Sequence, residues 1–217
     1  MADWNATLER EAERYADGEA RLPDAEDDDQ RQRQLTRLGN AAYGAGLCAL
    51  MLGQEAGEWF RRAAARWRES FDLAPPGSWG RPIGVVKALL LAGDDAEEAA
   101  RWTLETGAVE AESPIGRYAA CLALLVLGRD PEARVLADGI RTHPDFPAAV
   151  GDALAMIAAG TDEVGYVQAV EEVLESFETR DAYLEDVPVA DTVLVLQALA
   201  GRRGLTAELS SPLLPGG

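Results

Sequence analysis

Four joints of one design constrain this chain more than any other feature of its sequence. Leu50-Met51-Leu52-Gly53-Gln54-Glu55-Ala56, Leu90-Leu91-Ala92-Gly93-Asp94-Asp95-Ala96, Leu125-Val126-Leu127-Gly128-Arg129-Asp130-Pro131-Glu132-Ala133 and Ile157-Ala158-Ala159-Gly160-Thr161-Asp162-Glu163 each end an apolar stretch with glycine and continue with acidic residues. Glycine relaxes into a left-handed helix cap, and carboxylates at the start of the next helix complement its dipole. Each joint therefore reads as a tight hairpin of two helices. The glycines fall at 53, 93, 128 and 160, with Gly201 as a further candidate, at intervals of 40, 35, 32 and 41 residues. Helical-hairpin arrays repeat in this range.

Apolar residues at three- to four-residue spacing predict helices over 3–21, about 30–52 and 56–72. Further helices are expected at about 83–92, 95–107, 114–127, 131–142, 147–159, 162–178 and 188–202. Phe60, Ala63, Trp67 and Phe71 share one face of the third helix. The stretch Ala74-Pro75-Pro76-Gly77-Ser78-Trp79-Gly80-Arg81-Pro82 holds three prolines and two glycines and reads as non-helical. Extended chain is expected from Leu205 to Gly217. Tyr43 to Arg68 resembles one degenerate tetratricopeptide unit. The expected fold is all-α: antiparallel helical hairpins stacked as a tetratricopeptide-like α-α superhelix or a compact multi-helix array. It forms a single domain over residues 1–217 with a sub-boundary at 73–82.

Twenty Lys and Arg against thirty-eight Asp and Glu leave a formal charge of −18, and Lys87 is the sole lysine. Such a surface repels phosphate backbones, which excludes nucleic acid as the expected partner. Many carboxylates with almost no lysine also suit a protein kept hydrated in multimolar salt; the alternative is arginine replacing lysine under GC-rich coding. The start Met1-Ala2-Asp3-Trp4 lacks a basic and then apolar leader pattern. The apolar run Ala119 to Leu127 is half the length of a membrane span. A cytoplasmic protein without a membrane partner is the expectation. Cys48 and Cys121 sit in apolar helical stretches and read as core thiols.

Catalysis needs converging groups. His143, in Arg141-Thr142-His143-Pro144, is the only histidine and sits where a helix dipole favours it, so zinc, haem and paired Glu-x-x-His iron sites are not expected. Asp94-Asp95 with Glu97-Glu98, and Glu171-Glu172 with Glu175, read as solvated first turns and faces. Asp27-Asp28-Asp29 lacks the alternation of a calcium loop. No nucleophile elbow, phosphate loop or dinucleotide fingerprint occurs. The glycines of Tyr43-Gly44-Ala45-Gly46 read as permitting close helix packing. No catalytic, cofactor or metal residue is assigned. Arg61, Arg62, Arg66 and Arg68 gather beside Trp59, Phe60 and Trp67, followed by Trp79 and Arg81. They are the candidate partner surface, suited to an acidic partner, unless neighbouring carboxylates pair with them.

The segment Tyr166-Val167-Gln168-Ala169-Val170-Glu171-Glu172-Val173-Leu174-Glu175, the apolar helix Pro188 to Leu199 and the tail Arg203-Gly204-Leu205-Thr206-Ala207-Glu208-Leu209-Ser210-Ser211-Pro212-Leu213-Leu214-Pro215 resemble the end of an all-helical bacterial family. That family is immunity protein family forty-nine of polymorphic toxin systems, whose members end in a helix, a Gly turn and a Ser-Pro-Tyr-Leu-Pro-like tail. Leu214 and Pro215 match that tail, Leu213 replaces its aromatic residue, and Trp59-Phe60 to Phe71 parallels an earlier amphipathic helix of the family. The resemblance covers about a quarter of the chain. It implies a non-enzymatic protein that binds a cognate toxin, with the tail lying along the apolar helix. The rival reading is a metal-binding or hydrolytic enzyme built on carboxylates.

Overall fold

The structure is a computed structural model that describes residues 3–216; Met1 and Ala2, part of the start read as lacking a leader pattern, and Gly217, the end of the stretch expected to be extended, lie outside the described residues. It is all-α, with ten α-helices and no strand among the described residues. The chain divides into two compact units.

The first unit holds α1 (Trp4–Arg21), α2 (Asp28–Met51), α3 (Gly57–Phe71) and α4 (Gly80–Leu91), together with residues 181–189 and 210–216. Successive helices pack on one another, α1 on α2, α2 on α3 and α3 on α4. Asp3 and Asp27 open α1 and α2 by accepting the Ala6 and Gln30 N–H, as acidic caps should. The core centres on Leu35, Leu38, Tyr43, Phe60 and Trp67, and the Tyr43 ring meets Phe60 and Trp67 at 5.5 and 5.2 Å between centroids. Small residues make that aromatic packing fit. A Cβ on Gly46 would meet the Phe60 ring at 2.8 Å, and Cβ atoms on Gly39 and Gly84 would meet the Trp67 indole at 2.5 and 2.6 Å. Phe60, Ala63 and Trp67 are buried as their spacing predicted, but Phe71 is half-exposed and Ser70 takes the interior place. Ser70 is needed there because Arg81 donates to its Oγ (2.8 Å), to Gln32 Oε1 (2.5 Å) and to Thr36 Oγ1 (3.1 Å). Burial lowers the Arg81 pKa, and these neutral acceptors compensate its lost hydration.

The Pro-rich segment lies within this unit and is shorter than expected. α4 begins at Gly80, so Arg81 and Pro82 are helical, because a proline N–H is dispensable in a first helical turn.

The second unit holds α5 (Glu97–Glu105), α6 (Pro114–Val126), α7 (Asp130–Arg141), α8 (Ala148–Ala159), α9 (Glu163–Glu178) and α10 (Asp191–Gly201), in residues 95–180 and 190–209. Consecutive helices from α5 to α9 pack in series, and α10 packs on α8 and α9. α6 is buried along Tyr118 to Val126. The Cys121 thiol donates to the Ala133 carbonyl of α7 at 3.4 Å. Arg203, only 10% exposed, ties α10 to the α6–α7 joint. It pairs with Asp130 and donates to the Leu125 carbonyl at 2.7 Å and the Leu199 carbonyl at 3.0 Å. A cation at two helix C-termini with a carboxylate at a third helix's start is favoured three times by the helix dipoles.

The joints behave as the sequence predicts. Gly53, Gly93, Gly128 and Gly160 all take left-handed backbone, and at the first three the next two N–H groups reach back to the helix end. Gly53 and Gln54 donate to Leu50 and Ala49, Gly93 and Asp94 to Leu90 and Leu89, Gly128 and Arg129 to Leu125 and Leu124. The same pattern recurs after α10 on Gly204 and Leu205 rather than at Gly201, which is the last helical residue. α10 also starts at Asp191, three residues later than expected, because Pro188 is preceded by extended chain and followed by it. Residues 205–209 turn back beside α10, where the Gln197 amide donates to the Ala207 carbonyl at 3.1 Å. No described helix is long and apolar enough to cross a membrane.

Candidate functional site

α1 and α2 meet along a stripe that the sequence discloses only in retrospect. Trp4, Leu8, Glu11, Tyr15, Gly18 and Leu22 follow three- to four-residue spacing, and the fully buried residue at its centre is the carboxylate Glu11. A Cβ on Gly44 would touch Glu11, and one on Gly18 would touch Leu38. The two helices therefore run antiparallel, with glycine wherever a partner side chain needs room.

Burying a carboxylate is costly without compensating donors. Glu11 is served from its own helix by Arg10 Nε at 2.9 Å and Arg14 Nη1 at 2.8 Å. Arg14 Nη2 also pairs with Glu185 at 2.5 Å. The other oxygen of Glu185 accepts from Asn40 Nδ2 of α2 at 3.0 Å, and Asn40 Oδ1 accepts from the Trp67 indole at 3.1 Å. Arg10 adds a bond to the Glu185 carbonyl at 3.0 Å. Burial works against the Arg14 charge, yet Glu185 and Glu11 outweigh it and hold its pKa above the ordinary value. The Cys48 thiol is pushed up to about 11, first by burial and then by the Glu11 charge, which keeps it protonated and inert. Glu185 thus fastens residues 181–189 to the α1–α2 groove, with the buried Val187 beside Gly44 of α2. Glu185 and Asp186 both hold left-handed backbone, at φ 53° and 56°, a conformation that costs a non-glycine residue about 1 kcal/mol.

The same groove opens into a cleft of about 290 Å³, whose walls include Arg14, Asp17, Arg21, Gln34, Arg37 and Leu38. Arg21 pairs with Asp17 at 3.0 Å in an exposed ion pair. Arg37 is exposed, and no carboxylate of the described residues engages it. Gln34 contributes a buried amide oxygen that has no hydrogen-bond partner among the described residues. These groups suit recognition of an anionic group that also carries a donor, since guanidinium forks match carboxylate and phosphate oxygens.

The arginines of α3 are committed within the first unit. Arg61 grips Asp94 through two bonds of 3.0 and 2.8 Å, which raises its own pKa and lowers that of Asp94. Arg62 pairs with Glu58 at 3.1 Å and lies over the Trp59 ring at 5.0 Å. Arg66 bridges Glu19 at 2.7 Å and Glu69 at 2.9 Å, and Arg68 is engaged as well. The guanidinium that stands apart is Arg37, on the neighbouring helix. In the sequence Arg37 stands between the apolar Leu35 and Leu38 of α2, a position that composition alone does not separate from ordinary solvated charge. His143 lies just beyond α7, where its Nδ1 accepts the Asp145 N–H at 3.2 Å. Glu171, Glu172 and Glu175 are exposed on α9. Among the described residues no three His, Cys, Asp or Glu side chains are grouped to hold a metal ion. No family model matches this chain, and neither a curated protein nor a solved structure is significantly similar to it.

Proposed function

We propose that this chain is a non-enzymatic protein-interaction module, and that the α1–α2 cleft of its first unit is the surface that meets the partner. The observation that carries the reading is Arg37. In a chain where carboxylates outnumber cations nearly two to one, and where Arg61, Arg62 and Arg66 of α3 each hold an acidic neighbour, this guanidinium stands on a cleft wall without one. The groove beside it already clasps a carboxylate of the same chain, Glu185. The C-terminal resemblance to immunity proteins makes a cognate toxin the favoured partner, located in the cell's cytoplasm, with no cofactor required.

The test is co-expression with the product of a neighbouring toxin-like gene, followed by size-exclusion chromatography of the purified pair. A stable complex that protects the host, and that Arg37→Glu disrupts without loss of helical circular dichroism, is expected. A neighbour that neither binds nor is neutralised would refute the immunity reading. A complex indifferent to Arg37→Glu and Arg21→Glu would move the interface away from the cleft.

A further inference from the structure

The way Glu185 is seated specifies what the neighbouring cleft accepts. Its carboxylate lies between Arg14 of α1 and Asn40 of α2, while Arg10 takes the backbone carbonyl of the same residue. The groove thus reads an acidic residue by both its side chain and its main chain. Because α1 and α2 are antiparallel, moving the same way along the groove leads from Arg14 over about two turns to Arg21 on α1 and from Asn40 over about one turn to Arg37 on α2. There the groove offers related chemistry, a guanidinium from each helix where Glu185 meets one guanidinium and one amide, flanked by Gln34 with an orphaned buried acceptor. An acceptor buried without a donor is costly, so a ligand that supplies an N–H there is favoured. Leu38 gives the cleft an apolar wall for aliphatic carbons.

We propose that the cleft seats the side chain of an aspartate or glutamate in an extended segment of the partner protein, continuing the row that Glu185 begins. The carboxylate is taken by Arg37 and Arg21, and the Gln34 amide, whose oxygen is buried in the free protein, turns into the cleft so that the residue's own backbone N–H donates to Oε1. Asp17 shares Arg21 before binding and releases part of it to the ligand. This assignment rests on reading the chain as an interaction module, and its test is independent of any particular partner.

The probes are N-acetyl-glutamate-N-methylamide, its uncharged glutamine counterpart, acetate and inorganic phosphate, each titrated into the full chain at one fixed salt concentration. Binding is followed by amide chemical shifts of isotope-labelled protein. The blocked glutamate should give saturable shifts along residues 14–21 and 34–41, at least tenfold tighter than the blocked glutamine and tenfold tighter than acetate. Arg37→Gln should weaken it at least tenfold, and Gln34→Met should erase its advantage over acetate. Arg37 is exposed and forms no hydrogen bond or ion pair among the described residues, so its variant should keep the parent melting temperature. Arg21→Gln provides a second exposed variant for the same measurement. Acetate binding as tightly as the blocked glutamate would show a site for small acids and overturn the peptide assignment. Phosphate binding more tightly than either carboxylate would overturn it too, as would shifts confined to other helices. If the blocked glutamate fails while Arg37→Glu still breaks a partner complex, the ligand class is wrong and the interaction reading stands. If it binds and no partner complex depends on the cleft, the reverse holds.

Discussion

Gly39→Ala sets helix propensity against packing, and the outcome can be worked from the contacts around Trp67. Gly39 lies inside α2, where alanine is better than glycine by about 1 kcal/mol. The added Cβ, however, falls 2.5 Å from Trp67 Cδ1 and Nε1, well inside the 3.4 Å at which ordinary contact begins. The indole has little freedom to retreat. Its Nε1 is bonded to Asn40, and its six-membered ring lies against Gly84 of α4, where a Cβ would stand 2.6 Å from Cε3. Overpacking of this kind costs about 1–3 kcal/mol, so the single variant should lose about 1 kcal/mol net.

Gly84→Ala should behave alike, and Gly39→Ala/Gly84→Ala should lose at least about 1 kcal/mol more than the two singles together, because each alanine blocks the other's escape route. In a Trp67→Leu background the sign should reverse, with Gly39→Ala stabilising by about 0.5–1 kcal/mol as propensity alone decides. Urea unfolding in molar KCl, followed by circular dichroism and tryptophan emission, reads these differences; a kilocalorie corresponds to a melting shift of about 2–4 °C for a chain of this size. A Gly39→Ala variant more stable than the parent, or one equally damaging with and without Trp67, would refute the argument.

Arg14→Ala withdraws a guanidinium from both Glu11 and Glu185, and because Glu11 is fully buried the loss should reach about 2–3 kcal/mol, against about 1 for Glu185→Ala; equal losses from both would show that Glu11 is not the costly group. Arg203→Ala should cost about 3 kcal/mol by freeing α10 from the α6–α7 joint, with the amides of 191–209 gaining hydrogen exchange ahead of the rest. Burial raises the Cys48 thiol to about 11 and the Cys121 thiol to about 12, so in the native protein both should resist iodoacetamide at pH 8 and react in urea. A thiol that ionises first in the unfolded chain destabilises as pH rises, so stability should begin to fall near pH 9 and keep falling through pH 11, by up to about 1.4 kcal/mol per unit for each thiol. A flat profile there would contradict the burial. Helical circular dichroism should fall when salt drops from molar to millimolar, since −18 charges then repel over about 30 Å rather than about 3 Å.

The helices were legible because each carries a local signal. Glycine followed by acid marks where one helix stops and the next starts, and the structure places left-handed glycines at 53, 93, 128 and 160. Where the signal is shared between neighbours, the reading slips by a few residues. Gly201 and Gly204 both fit a cap, and only the backbone bonds of Gly204 and Leu205 choose between them. Pro82 looked like a stop and is instead tolerated in the first turn of α4. The cleft was not legible, for a different reason. Glu11 sits on the apolar stripe of α1, but its binding to Arg14, and through it to Glu185, joins residues 174 positions apart. No periodicity announces such a partnership. The arginines of α3 were conspicuous because they cluster on a Trp-containing helix; the carboxylates of Arg61, Arg62 and Arg66 come from the α4–α5 joint, α3 itself and α1.

Charge is therefore distributed here by two rules that oppose each other. Across most helices arginine is placed three or four residues from an acid, as in Arg101 with Glu97, Arg129 with Glu132 and Arg134 with Asp138, where each exposed pair contributes a few tenths of a kilocalorie per mole and mainly neutralises the local field. In the α1–α2 groove Arg14 joins the buried Glu11 of its own helix to Glu185, far along the chain, and the gain comes from desolvation and fixed geometry as well as from proximity in sequence. The first rule explains how a chain of −18 folds at all, since its cations are spent locally on its own acids. The second leaves Arg37 outside that arrangement, next to a groove built to hold acids. For an acidic partner segment, long-range repulsion from the whole surface is screened by salt, whereas a two-pronged contact at the cleft is not screened to the same degree. A solvent of high ionic strength would thus turn an acidic protein into one that selects acidic residues by contact alone.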